Sequence, residues 1–236
     1  RPGKLRWKFN TVPQPGEFGY ETWPADAYKY AGGCNAWSGL SIDRKRGMLF
    51  AATGAPVFDF HGGDRKGNNL FGNSVIAINA DNGKYIWHFQ TSHHDLWDYD
   101  LPSPPNLVTI KKDGRNIDAV AQITKQSFIF LLDRETGRPL YEVKEMPVPQ
   151  TTMEDEETSP TQPFPTKPEP LSRTKFDTGE VTDISPEARA YVMNEVLKYD
   201  FGSIYTPPHT KGIIQLPGFR GGGEWSGGAV DRESGV

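Results

Sequence analysis

Trp37-Ser38-Gly39-Leu40-Ser41-Ile42-Asp43-Arg44 returns near the far end of the chain as Trp225-Ser226-Gly227-Gly228-Ala229-Val230-Asp231-Arg232. Five of the eight positions are identical, and a glycine follows each copy, Gly47 and Gly235. Internal repetition of this kind decides fold class before any local pattern does. Each copy reads as an inner strand, a tight turn and an outer strand. A second phrase, Gly-Lys/Arg-x-x-Trp/Tyr, occurs at Gly3-Lys4-Leu5-Arg6-Trp7, Gly83-Lys84-Tyr85-Ile86-Trp87 and Gly137-Arg138-Pro139-Leu140-Tyr141. Its last two copies follow an apolar run and an aspartate, Asp81 and Asp133. The mechanics are those of a β-turn: Asp caps, Gly takes the left-handed position, and a new strand begins. The closing aromatic is then free to pack against the neighbouring unit.

Strand–turn–strand units with an aromatic at a fixed place predict an all-β chain, a β-propeller of four-stranded antiparallel blades. One blade is expected over 37–42, 48–53, 74–79 and 84–90, with a glycine-rich insertion at 55–72. A second is expected over 107–110, 119–124, 128–133 and 140–143, and a third starts near Trp225. The whole of 1–236 then reads as one partial propeller domain, about half of an eight-bladed ring, with a loop and helix insertion at 145–210. Seven prolines and the acidic run Glu154-Asp155-Glu156-Glu157 predict extended surface loop over 147–170. Ser185-Pro186-Glu187 supplies an N-cap with proline at the first helical position. Ala188, Val192, Val196 and Tyr199 form a helical stripe able to dock on the propeller, and Gly202 is the expected stop. Both ends fall inside a repeat, so the chain is expected to be an internal piece of a longer protein.

Bulk properties narrow the function. The 236 residues carry a net charge of -4 with scattered lysines and arginines, which does not indicate a nucleic-acid surface. No run approaches the roughly 18 apolar residues that span a bilayer. Glycine and proline together supply 45 residues, as many turns between short strands require. Cys34 is the single cysteine, which excludes internal disulfides, CxxC redox pairs and cysteine-rich zinc sites. No HExxH, GxSxG, Walker or GxGxxG phrase occurs.

Chemistry concentrates in His93-His94-Asp95-Leu96-Trp97-Asp98-Tyr99-Asp100, where the strand ending in Trp87-His88-Phe89 stops and before the turn Pro102-Ser103-Pro104-Pro105. Loops at the ends of rigid strands are where function usually sits. Asn35-Ala36-Trp37-Ser38-Gly39 flanks it upstream and Thr124-Lys125-Gln126 downstream. With Ala-Ile-Asn-Ala-Asp-Asn-Gly-Lys, His-Phe-Gln-Thr and Leu-Asp-Arg-Glu-Thr-Gly, these phrases resemble the pyrroloquinoline-quinone-dependent dehydrogenases. The likeness is to the membrane-bound glucose dehydrogenase-like and alcohol dehydrogenase branch. It covers nearly the whole chain and is densest over 32–137.

The resemblance implies a quinone in the central channel of an eight-bladed propeller, its reactive carbonyl held by Ca²⁺ or another divalent or trivalent cation. Trp37 matches the tryptophan that stacks on the quinone; the alternative is a blade-packing tryptophan, since Trp225 holds the equivalent repeat position. Asp98 matches the catalytic aspartate, which helps hold the metal and accepts the substrate's hydroxyl proton. At an ordinary carboxylate pKa it would be ionised at neutral pH. The alternative is a turn aspartate, and Asp95 could exchange roles with it. Lys125 matches the cation that pairs with the quinone oxygens as they gain negative charge; its alternative is an exposed lysine at a strand end. Glu224 falls where the family places a polar group near the quinone, and with the adjacent Trp225 it is a further candidate for cofactor binding.

One departure bears on the metal. The family often places an asparagine ligand after Thr-Gly, whereas Thr53-Gly54 is followed here by Ala55. Asp100, two residues beyond Asp98 and on the same side of an extended segment, is the expected substitute. Ca²⁺ takes six to eight oxygens, so further ligands must come from other blades. His93 and His94, being adjacent, face opposite ways and do not form a bidentate pair, and His209 reads as a loop histidine.

The leading expectation is a periplasmic bacterial enzyme that oxidises a sugar or alcohol by hydride transfer to a metal-bound quinone. It would pass electrons to a quinone or cytochrome, with membrane association only through segments outside this chain. Ala55 favours the alternative, a non-catalytic propeller scaffold or ligand-binding module. A sensor propeller of another family is the third.

Overall fold

The computed structural model describes residues 3–231. Arg232 and Gly235, the last positions of the second Trp-Ser-Gly copy, lie outside the described residues. Nine strands and one α-helix are defined: β1 Leu40–Asp43, β2 Met48–Ala52, β3 Ser74–Asn79, β4 Tyr85–Gln90, β5 Asn106–Lys112, β6 Arg115–Ile123, β7 Ile129–Asp133, β8 Val143–Pro147, β9 Thr161–Pro165 and α1 Pro186–Val196. All pairings between these strands are antiparallel. β1-β2-β3-β4 form one sheet in that order, β5-β6-β7 a second and β8-β9 a third.

The first sheet is the blade expected from the sequence. Along β3 successive side chains take opposite faces. Val75 and Ala77 enter the main core with Phe50, Trp87, Val120 and Phe130, whereas Ile76 and Ile78 join Leu70 and Phe71 on the other side. Burial on both faces is why this strand reads as an unbroken apolar run. Leu96, Trp97, Tyr99 and Leu101 from the acidic loop complete the main core, so the loop is part of the packed interior.

The second repeat explains how neighbouring units join. Trp7 lies over the backbone of Gly83 and its indole N–H donates to Ala80 O at 3.0 Å. Trp87 does the same over Gly137, donating to Arg134 O at 3.1 Å. A side chain at either glycine would collide with the indole, and both sit at positive φ, 72° and 70°. Asp133 caps its turn by accepting the Glu135 and Thr136 amides. In the preceding copy that work falls to Asn79 rather than Asp81.

Three expectations need correction. The strand foreseen at 140–143 does not complete the second sheet. Only a bridge between Leu132 and Pro139 forms there, proline offering no further donor, and Val143 instead opens β8. The 147–170 segment is not all surface loop: β9 pairs with β8, Gln162 is fully buried and Phe164 packs on the core. Beyond Trp225, the described residues hold a turn at Trp225 and Ser226 but no strand.

The helix begins as foreseen, with Ser185 Oγ accepting the Ala188 amide. It stops at Val196, before Gly202. Val196 is buried, Ala188 and Val192 are half-buried, and Tyr199 is exposed rather than docked.

Candidate active site

The loop between β4 and β5 is fixed from below by two aromatic side chains. Trp97 Nε1 donates to Thr206 O at 2.7 Å and Tyr99 Oη to Ile204 O at 2.6 Å, and both side chains are fully buried. Asp98 lies between them at φ 58°, a left-handed conformation that aspartate tolerates better than most residues. Its carboxylate meets Lys125 Nζ at 3.0 Å, and Asp100 Oδ2 meets the same nitrogen at 3.1 Å. Asp100 Oδ1 accepts the Ala55 amide at 2.5 Å. Ala55 therefore serves Asp100 through its backbone.

Lys125 arrives from the turn after β6. Burial pulls its pKa down, but Asp100 and Asp98 outweigh this and hold it above the ordinary lysine value. Burial first, and then the Asp100 charge, push the Asp98 carboxyl up to about 7, against the opposing pull of Lys125. Partial burial beside a second carboxylate disfavours the charged form.

Trp37 stands next to this group. A Cβ at Gly54 would fall 2.4 Å from Asp100 Oδ1 and 3.1 Å from Trp37 Nε1, so only glycine lets the strand end, the indole and the carboxylate approach so closely. The indole remains 44% exposed. Trp225, by contrast, is 73% exposed, and Glu224 accepts the Trp225 amide at 3.1 Å. The same segment reaches the site through its glycines: Gly222 N donates to Lys125 O at 2.8 Å and Gly223 N to Thr124 O at 3.2 Å.

Asp98, Asp100, Lys125 and Trp37 are therefore brought together. Trp225 is directed largely to solvent, and Glu224 is engaged with its own backbone neighbour. Two carboxylates converging on one cationic nitrogen fit one side of a hard-cation shell. Among the described residues no cluster of three or more His, Cys, Asp or Glu side chains is placed to hold a metal ion. The remaining oxygens would have to come from elsewhere in the protein.

Little in the local sequence points to the polar framework under the loop. Arg65 is fully buried and donates to Asp95 O at 2.6 Å, Phe58 O at 2.9 Å and Asn69 Oδ1 at 2.9 Å. His94 Nδ1 faces Gly67 O at 2.7 Å and its Nε2 faces Glu156 Oε1 at 3.3 Å, while His93 turns to Gln90 and Glu145. Glu156 Oε2 also accepts the Gly62 amide at 2.6 Å, so one member of the acidic run reaches inward. Gly62 and Gly63 permit this contact: a Cβ at the first would strike His94 Nε2 and at the second the Asp155 carbonyl. A glycine pair at 62–63 was the available signal that another segment comes close there.

The sequence matches the PQQ family of glucose/ethanol/alcohol dehydrogenase β-propeller domains across residues 1–236. It is 37% identical to quinoprotein glucose dehydrogenase A of Acinetobacter calcoaceticus, over 97% of this chain and 29% of that protein. It is 33% identical to the quinate/shikimate dehydrogenase (quinone) of Acinetobacter baylyi, over 97% of this chain and 28% of that protein. Among solved structures, the quinohemoprotein alcohol dehydrogenase ADHIIG of Pseudomonas putida superposes with a TM-score of 0.54 at 31% identity. That match covers 62% of this chain and 24% of the other. The chain spans less than a third of the length of the curated relatives it matches.

Proposed function

The chain belongs to the glucose/ethanol/alcohol dehydrogenase β-propeller family, and from that premise we propose that it is the part of a PQQ-dependent dehydrogenase carrying the proton-accepting aspartate. The observation that carries this reading is the Asp98–Lys125–Asp100 cluster beside the half-exposed face of Trp37. A bound pyrroloquinoline quinone would supply the two-electron acceptor for a substrate's hydride. Asp98 takes the proton of the substrate's hydroxyl, leaving a carbonyl product. Lys125 fixes Asp98 and presents its ammonium to developing negative charge, while Trp37 offers a flat apolar face for a planar ring system.

Asp98 and Asp100 are the side chains of this segment suited to Ca²⁺ or another divalent or trivalent cation. The substrate is a sugar or alcohol, the electron acceptor a quinone or cytochrome, and the setting the bacterial periplasm. Residues 1–236 form one partial propeller domain with the insertion at 145–210, contributing about half of an eight-bladed ring. By itself such a piece would bind the quinone poorly and show no turnover.

The test is Asp98→Asn in the full-length enzyme, followed by quinone absorbance during titration with and without Ca²⁺ and by turnover. Retained quinone with abolished turnover supports the reading. Unimpaired turnover places the base elsewhere, and no quinone binding by the unmutated enzyme would favour the non-catalytic scaffold.

A further inference from the structure

We propose that Asp95 is a positioning residue for Asp98: its carboxylate accepts the amides on both sides of Asp98 and so fixes the backbone that aims Asp98 at Lys125. The inference rests on Asp98 being the proton acceptor. Trp97 N donates to Asp95 Oδ1 at 3.1 Å and Tyr99 N to Asp95 Oδ2 at 2.8 Å. Asn73 Nδ2 adds a third donor to Oδ2 at 3.1 Å and also donates to Tyr99 O at 2.8 Å. Asp95 is 1% exposed, and the buried Arg65 guanidinium holds its backbone carbonyl.

The arrangement demands a carboxylate. Three donors converge on two oxygens, and an aspartate side chain offers an acceptor oxygen to both sides. An asparagine would present an N–H₂ to one of the two amides. The positions of Trp97 and Tyr99 are set on the other side by Thr206 O and Ile204 O. With the flanking side chains anchored there and the flanking amides turned onto Asp95, the Asp98 side chain is left to project toward Lys125. The left-handed φ of Asp98 is then imposed by its surroundings. Groups facing Asp95 are Arg65, Asn73 and, through its charge, Asp100.

The experiment compares Asp95→Asn, Asn73→Gly and Asp98→Asn in the full-length, quinone-loaded enzyme. It measures kcat, KM and hydrogen exchange of the Trp97 and Tyr99 amides. Asp95→Asn is expected to lower kcat about 10- to 100-fold with KM within about twofold, because the base is displaced while the substrate surface is not. Exchange at Trp97 and Tyr99 should quicken while β3 amides keep their protection. Unchanged kcat and unchanged exchange in Asp95→Asn, with Asp98→Asn inactive, overturn the inference.

If Asp95→Asn does not fold, Asn73→Gly decides, since the φ of 50° at position 73 suits glycine. It should show the same split with a smaller loss, and normal kcat with normal Tyr99 exchange overturns the proposal. An active Asp98→Asn enzyme instead overturns the catalytic reading, and leaves the amide exchange as the test of Asp95's hold on the loop.

Discussion

Replacing Glu156 by alanine separates a buried clasp from a solvated acidic run. Its carboxylate accepts the Gly62 amide at 2.6 Å and the Glu157 amide at 2.9 Å, and faces His94 Nε2 at 3.3 Å. The Glu157 amide is able to turn to water. Gly62 and His94 are buried, so their polar atoms would lose a charged partner with nothing to replace it. Hydrogen bonds to charged groups are worth about 1.5–3 kcal/mol each, so two orphaned partners should cost about 3–6 kcal/mol. For a chain of this size each kcal/mol lowers Tm by about 2–4 °C, which puts the expected fall at about 10 °C. Calorimetry or urea unfolding at pH 7 reads this directly. Glu154→Ala and Glu157→Ala are the controls, because both side chains are exposed and should stay within about 0.5 kcal/mol. Glu156→Gln, which keeps one oxygen for Gly62, should fall between them. If Glu156→Ala loses no more than its exposed neighbours, the inward clasp is wrong and the segment is the surface loop its composition suggests.

The remaining predictions test the site and its electrostatics. Gly54→Ala should displace Asp100 or Trp37, since the new methyl falls 2.4 Å from the carboxylate oxygen; quinone affinity of the full-length enzyme should drop, and normal affinity would show that the strand end yields instead. Burial raises the Asp95 carboxyl to about 6, so the folded state holds its proton more tightly than the unfolded chain. Its contribution to stability is therefore present below the ordinary carboxylate pKa and lost as pH rises to about 6, by about 3 kcal/mol. Urea midpoints should show wild type losing that much relative to Asp95→Asn between pH 4 and pH 7, and a constant difference would refute it. Trp225→Ala should change stability by less than about 0.5 kcal/mol, as befits a side chain 73% exposed, and a larger loss would reveal packing not seen here.

The repeats alone determined that the chain is built of short antiparallel strands joined by turns, because Gly-Lys-x-x-Trp encodes both the turn and its lid. Trp7 over Gly83 and Trp87 over Gly137 are local rules visible at fixed spacing. Short unbroken apolar runs made β2 and β3 legible, and Ser185-Pro186 made the start of α1 legible, for the same reason: each is decided within a few residues. Asp98, Lys125 and Trp37 were nameable because the phrases around them resemble a known family.

What linked those residues was decided by tertiary structure. The sequence offers Asp95, Asp98 and Asp100 as three similar carboxylates. Only packing makes the first a buried anchor under two amides, the second a half-buried acid near neutrality and the third the partner of the Ala55 amide. Composition likewise assigned 147–170 to solvent, yet Glu156, Gln162 and Phe164 turn inward because partners at Gly62, His93 and the core lie there. A side chain's burial and charge depend on which distant segment covers it, and that information is held by the packing of the whole chain rather than by any local stretch of it.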